Sequence, residues 1–356
     1  MSPDQWILVG ALSAATGALA FMAARRTPRS KPVRGVAQPH AADTPSTADA
    51  LPSLARIHDD DLEDDGDATR VGAGAGWGPR QRTVYQPPVT PVVYDEDADL
   101  AEPPDASALL LVHATAQTDV GLRRKRNEDS LLVEDAENLF AIADGMGGYR
   151  GGELASQLAV RAIAGAFRAA AFEGPAHQGI PQDATNLARA IQMANAGILE
   201  LVGRKPELEG MGTTVCAARF SPKKQRLYVG HVGDSRCYRW RDGELAQMTA
   251  DHTMADLGVA GPESTHLSRA VGVWPTVPID IVMAVPRPGD AYLLCSDGLT
   301  KMLSDGDIAD ALRATGDAKV TVERLVSLAN AKGGKDNITV ILVQVLDARA
   351  AAKRGR

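Results

Sequence analysis

The stretch Phe140–Gly152, FAIADGMGGYRGG, combines an apolar run, one carboxylate and several glycines. The apolar run predicts a buried strand that ends at Asp144, and Gly151 and Gly152 precede a predicted helix. A carboxylate at the end of a buried strand is costly unless a partner neutralises it. Glycines directly after it let the backbone turn tightly and approach a bound ion. Taken alone, this stretch is equally well explained by an ordinary strand–turn–helix corner with a capping Asp.

Four further turns place an Asp near a glycine at the end or the start of an apolar run. The five aspartates are Asp119 in TDVG, Asp144 in ADGMGG, Asp234 in VGDSR, Asp297 in LLCSDGLT and Asp336 in GGKDN. One such corner is ordinary turn chemistry. Several of them within one domain, with Asp as the acid each time, indicate that the turns converge on a common site.

The chemistry of such a site follows from its charge. Carboxylates at close range repel one another strongly and stay ionised only with cations between them. Oxygen ligands without His or Cys favour Mg²⁺ or Mn²⁺. Two such ions, about 3.5–4 Å apart, convert a bridging water into hydroxide and bind an anionic substrate oxygen. Arg124, which follows Asp119 amid Arg123, Lys125 and Arg126, can grip two phosphate oxygens. The sequence therefore predicts phosphoester hydrolysis without a covalent intermediate.

The motifs TDVGLRRKRNEDS, ADGMGG, MGTT, VGDSR, LLCSDGL and GGKDN follow one another within residues 112–346. In this order they resemble the motifs of the metal-dependent Ser/Thr protein phosphatases, the PPM or type 2C family, in the bacterial form. The resemblance implies an α+β fold, a four-layer α-β-β-α sandwich of two antiparallel sheets flanked by helices. The irregular succession of predicted strands and helices independently favours antiparallel sheets covered by helices.

The resemblance also implies a role for each matching residue. Arg124 would bind the substrate phosphate, Glu128 would hold metal-bound water, and Gly145 would offer its backbone carbonyl to a metal. The expected ligands of two catalytic Mn²⁺ or Mg²⁺ ions are Asp129, Asp144, Asp297 and Asp336. Asp234 would ligate a third, more weakly held ion. Arg124, Asp129 and Asp144 are accordingly the expected catalytic residues.

The implied function is hydrolysis of phosphoserine and phosphothreonine in proteins by a hydroxide that bridges two metal ions. The expected partners are a Ser/Thr kinase and its phosphorylated substrates, and the expected oligomeric state is a monomer. Two alternatives belong to other classes: an inactive phosphoprotein-binding scaffold, and a regulator that acts on one dedicated partner. The presence of Arg124 and of every expected core ligand argues against the inactive scaffold.

Three features depart from the family pattern. Met146 follows Asp144-Gly145 where animal-type members carry a His. Lys301 occupies the position at which many members have a second Asp for the third metal, and an ammonium group cannot ligate a cation. The segment between Asp251–Thr253 and Arg269, a mobile flap in the family, is short. His252 at its start is a candidate for a role near the substrate or behind the ligands.

Residues 1–26 are predicted to form a membrane anchor. The run Trp6–Ala24 carries no charge, and as a helix it would extend about 28 Å, close to the thickness of a bilayer core. Arg25 and Arg26 follow directly, which favours a single-pass helix in the inner (cytoplasmic) membrane with the catalytic domain in the cytoplasm. A signal peptide and a buried or interfacial helix are the alternatives, although a signal peptide would carry its basic residues in front of the apolar run.

Residues 27–111 are predicted to form a disordered linker. They hold 7 Lys and Arg against 15 Asp and Glu, show no sustained periodicity and are rich in Pro and Ala. The acidic run His58–Asp67 lacks the ligand spacing of a calcium loop and is interpreted as a solvated segment.

The phosphatase domain is expected at 112–346, with a basic C-terminal tail at 347–356. Residues 112–356 hold 29 basic and 29 acidic residues, and such a balance gives no support for binding nucleic acid. The cysteines Cys216, Cys237 and Cys295 lie in apolar runs without metal-ligand spacing. They are predicted to be buried thiols in a reducing compartment.

Overall fold

The structure, a computed structural model, describes residues 88–95, 98, 102, 110–147 and 151–348. Within these ranges the strands are β1 (Val89–Val93), β2 (Leu110–Asp119), β3 (Asp129–Glu134), β4 (Leu139–Met146), β5 (Gly212–Thr213), β6 (Val215–Phe220), β7 (Leu227–Val232), β8 (Arg236–Arg241), β9 (Glu244–Gln247), β10 (Ile279–Ala284), β11 (Ala291–Cys295) and β12 (Ile338–Asp347). The α-helices are α1 (Gly151–Arg168), α2 (Gln182–Arg204), α3 (Asp297–Thr300), α4 (Asp305–Ala314) and α5 (Ala318–Ala331).

The strands form two sheets. The first has the order β1-β10-β7-β6-β4-β3, with β5 paired to β4, and the second has the order β2-β12-β11-β8-β9. Buried side chains separate the structure into three apolar layers: α1 and α2 pack on the first sheet, the sheets pack on each other, and α4 and α5 pack on the second sheet. The predicted α+β class, with two sheets flanked by helices, is confirmed.

The helices follow the apolar periodicity of the sequence. In α2, Leu187, Ile191 and Ile198 recur at helical spacing and are fully buried against the first sheet. Helix α4 begins with a capping box, in which Ser304 and Asp307 bond each other's backbone N–H groups.

The prediction of a disordered linker reaching to residue 111 is wrong at its C-terminal end. Strand β1 lies within that segment and pairs in parallel with β10, with Val89 opposite Ile279 and Val93 opposite Met283. The first sheet is therefore mixed rather than purely antiparallel. The strand VTPVV consists of β-branched residues interrupted by Pro91, which weakens the strand signal of the sequence. Pairing with the edge strand β10 nevertheless stabilises it as a strand. Strand β2 likewise starts at Leu110, before the expected domain boundary.

Asp95, two residues after β1, fixes this segment to the second sheet. Its Oδ1 accepts a hydrogen bond from Arg239 Nη1 at 3.1 Å, and its Oδ2 accepts one from the Val285 backbone N–H at 2.8 Å. The guanidinium of Arg239 also lies 4.7 Å from the ring centre of Tyr94. These contacts bind residues 88–95 to the body of the domain.

The expected anchor at 1–26, the linker up to residue 87 and most of the basic tail lie outside the described residues. No helix among the residues that the structure describes is long and apolar enough to cross a bilayer. The three cysteines are free thiols and fully buried, as predicted.

Candidate metal centre

Two of the predicted ligands face each other across a strand pair. β3 and β4 are antiparallel, and their register places Asp129 directly opposite Asp144. Side chains at opposite positions lie on the same face of a sheet, about 5 Å apart at Cβ, and two like charges there are destabilising. Two carboxylates that repel in this way can both stay ionised when a cation lies between them.

A third and a fourth Asp reach this corner from the second sheet. β11 leads through Ser296 into Asp297, the first residue of α3, and Asp336 lies just before β12. The two turns touch so closely that a Cβ on Gly298 would lie 1.9 Å from the Asn337 carbonyl oxygen. Gly298 is therefore required for α3 to approach the start of β12.

The glycine after Asp144 has a similar role. A Cβ on Gly145 would lie 2.0 Å from the carbonyl oxygen of Gly152, at the start of α1. The Gly145 backbone N–H donates to the Glu128 carbonyl at 3.1 Å. Gly145 thus lets the end of β4 approach the start of α1 without a side chain between them.

These turns enclose one polar cavity of about 340 Å³. Its acidic wall consists of Glu128, Asp144, Asp234, Asp297 and Asp336, which we call the acidic pocket, and Asp129 lies behind it opposite Asp144. Arg124 and Lys301 are the cationic residues in the lining, and the Gly145 backbone also contributes. The structure therefore brings every predicted metal ligand and Arg124 to one place, whereas the prediction that all five turns converge is wrong for the turn at Asp119, which does not line the cavity.

Arg124 is well placed for the predicted phosphate contact. Its side chain is 48% exposed, it donates to Asp336 Oδ2 at 2.8 Å, and its Nη1 lies 3.9 Å from Glu128 Oε2. Burial alone would lower the pKa of Arg124, but the hydrogen bond to Asp336 raises it above its usual value. The guanidinium is permanently charged at the mouth of the cavity.

Burial and mutual repulsion raise the pKa values of three of these aspartates. Burial raises the pKa of Asp129 to about 6, and Asp297 and Asp336 add to the effect. Burial and the neighbouring charge of Asp129 raise the pKa of Asp144 well above its usual range. Burial and Asp297 raise the pKa of Asp234 to about 7. A divalent cation between these groups would reverse each of these shifts because it stabilises the ionised forms.

Several polar residues that were not predicted hold the acids in place. Asp129 Oδ2 accepts hydrogen bonds from Thr339 Oγ1 at 2.6 Å and Ser296 Oγ at 2.8 Å. The Asn337 carboxamide accepts from the Glu128 N–H at 2.8 Å and donates to the Val120 and Arg126 carbonyls. Asn337 and Ser296 lie inside the motifs GGKDN and LLCSDGL. Their positions next to Asp336 and Asp297 were the sequence signal that could have identified them as supports of the acids.

The donor set fits a hard divalent cation. Asp129 Oδ1 and Asp297 Oδ1 are buried and have no hydrogen-bond partner, so each directs an unsatisfied oxygen into the protein. Among the described residues, no group of three or more His, Cys, Asp or Glu side chains is arranged so that it could hold a metal ion without rearrangement. Lys301 on Asp297 and Arg124 on Asp336 hold two of the carboxylates. The Asp336 carboxylate would exchange Arg124 for a cation when cations enter, which frees Arg124 for a phosphate.

Other candidates lie outside the cavity. Asp119, in the first of the five turns, accepts hydrogen bonds from the Gly121 N–H and the Asn330 carboxamide and caps its own turn. His252 is buried, accepts from the Gly233 N–H at 3.1 Å and contacts Asp280 at 3.0 Å. His252 therefore supports the turn that carries Asp234.

The short segment between Asp251 and Arg269 does lie beside the cavity. Its residues Thr265 and Leu267 line the wall, and a single β-bridge joins Thr253 to Leu267. Met146 lines the cavity next to Asp144-Gly145. A thioether neither donates a proton nor holds a charge, so this position supplies no general acid.

The known proteins that resemble this chain in sequence include serine/threonine protein phosphatases. The profile of the protein phosphatase 2C family matches residues 123–342. Serine/threonine protein phosphatase PstP of Mycobacterium tuberculosis is 39% identical over 257 residues, which are 68% of this chain and 46% of that protein. Serine/threonine phosphatase stp of Listeria monocytogenes is 33% identical over 259 residues, 69% of this chain and 99% of that protein.

A solved structure shows the same fold with metal bound. The catalytic domain of PstP in complex with two manganese ions is 39% identical, covers 67% of this chain and all of that domain, and superimposes with a TM-score of 0.58. This chain belongs to the protein phosphatase 2C family and carries its phosphatase domain. It spans about half the length of the M. tuberculosis relative.

Proposed function

We propose that the chain hydrolyses phosphoserine and phosphothreonine in proteins and depends on two Mn²⁺ or Mg²⁺ ions. The observation that carries the proposal is the pairing of Asp129 with Asp144 across β3 and β4, with Asp297 and Asp336 converging from the other sheet. When bound, the ions supply a water activated to hydroxide as the nucleophile and neutralise charge that develops on the phosphate.

The residues of the chain supply the remaining functions. Asp129, Asp144, Asp297, Asp336 and the Gly145 carbonyl would hold the ions, and Glu128 would orient water through a hydrogen bond. Arg124 would release Asp336 and grip two phosphate oxygens of the substrate, since its exposed side chain already lies over the cavity. Ser296 and Thr339 keep Asp129 aimed at the site through Oδ2, which leaves Oδ1 for a ligand.

The test is hydrolysis of a phosphothreonine peptide by the full chain with Mn²⁺, with Mg²⁺ and with EDTA. We expect phosphate release that requires metal and resists vanadate, an inhibitor of phosphatases with a catalytic Cys. The three cysteines are buried away from the cavity, which supports this expectation. A folded chain that binds the peptide but releases no phosphate under any metal would overturn the proposal in favour of a phosphoprotein-binding scaffold.

We also propose that the chain opposes a Ser/Thr kinase at the inner membrane, with Trp6–Ala24 as anchor and the domain in the cytoplasm. The uncharged run and the following Arg25 and Arg26 support the proposal. In the native host, the full chain should stay with membranes after alkaline carbonate extraction, and a chain that begins at residue 27 should not. Release of both chains would refute the anchor and leave the proposed activity untouched.

A further inference from the structure

Lys301 is the second cationic residue of the cavity, and its contact differs from that of Arg124. It follows Asp297 by four residues, so its side chain lies on the same face one turn further along. Its ammonium group binds Asp297 Oδ2 in an ion pair. The other oxygen, Asp297 Oδ1, is buried and has no hydrogen-bond partner. Lys301 thus binds one oxygen of this carboxylate and leaves the other without a hydrogen-bond partner.

Lys301 also acts on other acids of the cavity. Asp234 lines the same cavity, and the charges of Lys301 and Asp234 act on each other favourably. The charge of Asp336 acts on Lys301 as well, but Asp336 has its own ion pair with Arg124. Lys301 is therefore paired directly with Asp297, and Asp234 is the next acid on which its charge acts.

A third metal ion does not fit this arrangement. Such an ion would need Asp234, Asp297 and a further oxygen at position 301. Lys301 presents three hydrogen-bond donors, no acceptor and a positive charge at that position. Like charges repel strongly in a partly buried site. The family resemblance implies a third, weaker ion there, and the residues of this chain disagree with it.

We propose that Lys301 is a built-in cation that replaces the third ion and positions Asp297. Bonded to Oδ2, Lys301 fixes the carboxylate so that Oδ1 faces the proposed two-ion centre. Asp234 then serves as a partner of this ammonium group rather than as a metal ligand. The inference rests on the proposed two-ion centre. It predicts that the chain binds two divalent ions and no third one.

The experiment counts bound Mn²⁺ on the full chain by the loss of the electron paramagnetic resonance signal of free Mn²⁺. The wild-type chain should bind two ions at millimolar Mn²⁺. Lys301→Arg, which keeps the charge, should also bind two. Lys301→Asp should gain a third, weaker ion. Lys301→Asp combined with Asp234→Asn should return to two, because the new site needs both carboxylates.

A third ion on the wild-type chain, or no additional ion on Lys301→Asp, would overturn the inference. Lys301→Asn adds an oxygen ligand without a new charge and should also gain an ion. It serves in place of Lys301→Asp if the added carboxylate prevents folding. A wild-type chain that binds no Mn²⁺ at all would instead overturn the proposed function, so the two failures are distinguishable.

Discussion

Two clusters of acidic residues in this domain differ in how many basic residues neutralise them. The first is the Asp95–Asp290 cluster, which consists of Asp95, Arg239, Arg241 and Asp290. Arg241 binds both oxygens of Asp290 at 2.7 Å, and Arg239 binds Asp95 at 3.1 Å. The Tyr292 hydroxyl and the Arg287 N–H also donate to Asp290. Each acid there has its own arginine, so the cluster is neutral.

The acidic pocket is built with the same side-chain types but is not neutral. Its five acids, with Asp129 behind them, face Arg124 and Lys301. Two buried carboxylate oxygens remain without partners. A balanced buried cluster holds the fold together, whereas an excess of one charge around a cavity marks a place for a ligand of the other charge.

The largest effect is expected from Asp144→Asn in the acidic pocket. Loss of one carboxylate should lower phosphatase turnover by about 1000-fold or more, the scale of losing a group that stabilises active-site charge. Calorimetric titration should show weaker Mn²⁺ binding. The melting temperature in EDTA should not fall, because the substitution removes a charge that repels Asp129.

The matched control is Asp242→Asn, in the exposed turn between β8 and β9, where the positive φ of 52° suits Asn. Its turnover and Mn²⁺ binding should equal those of the wild type. Normal turnover in Asp144→Asn, or a large loss of stability in EDTA, would show that Asp144 has a structural role.

Arg241→Met in the Asp95–Asp290 cluster should have the opposite signature. Arg241 and Asp290 are 12% and 1% exposed, and removing one partner of a buried ion pair costs about 3–5 kcal/mol. The melting temperature should fall by about 6 °C or more. Turnover per folded molecule, measured well below that temperature, should be unchanged.

The control is Arg313→Met, which breaks the exposed pair with Asp310 on α4. Such surface pairs contribute less than about 1 kcal/mol, so the melting temperature should change little. Equal effects of the two substitutions would contradict the distinction between the neutral buried cluster and the surface.

The smallest effect concerns pH in EDTA. The folded state raises the pKa of Asp234 to about 7, above its usual value near 4. The stability that this proton contributes is complete below about pH 4 and is lost as the pH rises through about 7. Burial lowers the pKa of His231 to about 3, which has the opposite effect but is exhausted above about pH 6.5, the usual value for His.

Between about pH 6.5 and 7.5 the melting temperature of the wild type in EDTA should therefore fall, by about 2–4 °C per kcal/mol lost. Asp234→Asn should show a flatter profile in the same interval by scanning fluorimetry. Parallel profiles for the two chains would show that the surroundings of Asp234 do not raise its pKa in the metal-free state.

Much of the fold could be predicted from local signals. The helical periodicity of α2, the capping Ser304 of α4 and the apolar runs of β11 and β12 depend on neighbours in the sequence. β1 could not be assigned, because its stability comes from pairing with β10 almost 200 residues away. The residues of the acidic pocket were identifiable because Asp beside Gly recurs in ordered motifs. Their hydroxyl and amide supports are ordinary residues until the fold brings them near.

The amino-acid sequence alone predicted which side chains carry the proposed chemistry. The sequence contains five Asp-bearing turns, the glycines that allow close approach of the backbone, and Arg124 four residues before Glu128. Only the tertiary structure decided how they meet: the register that opposes Asp129 and Asp144, the hydroxyls on Asp129, and the ammonium of Lys301 on one oxygen of Asp297. The physical reason is that residue type and local conformation are short-range properties. Repulsion, burial and pairing arise between strands far apart in the chain, and they exist only once the two sheets have packed.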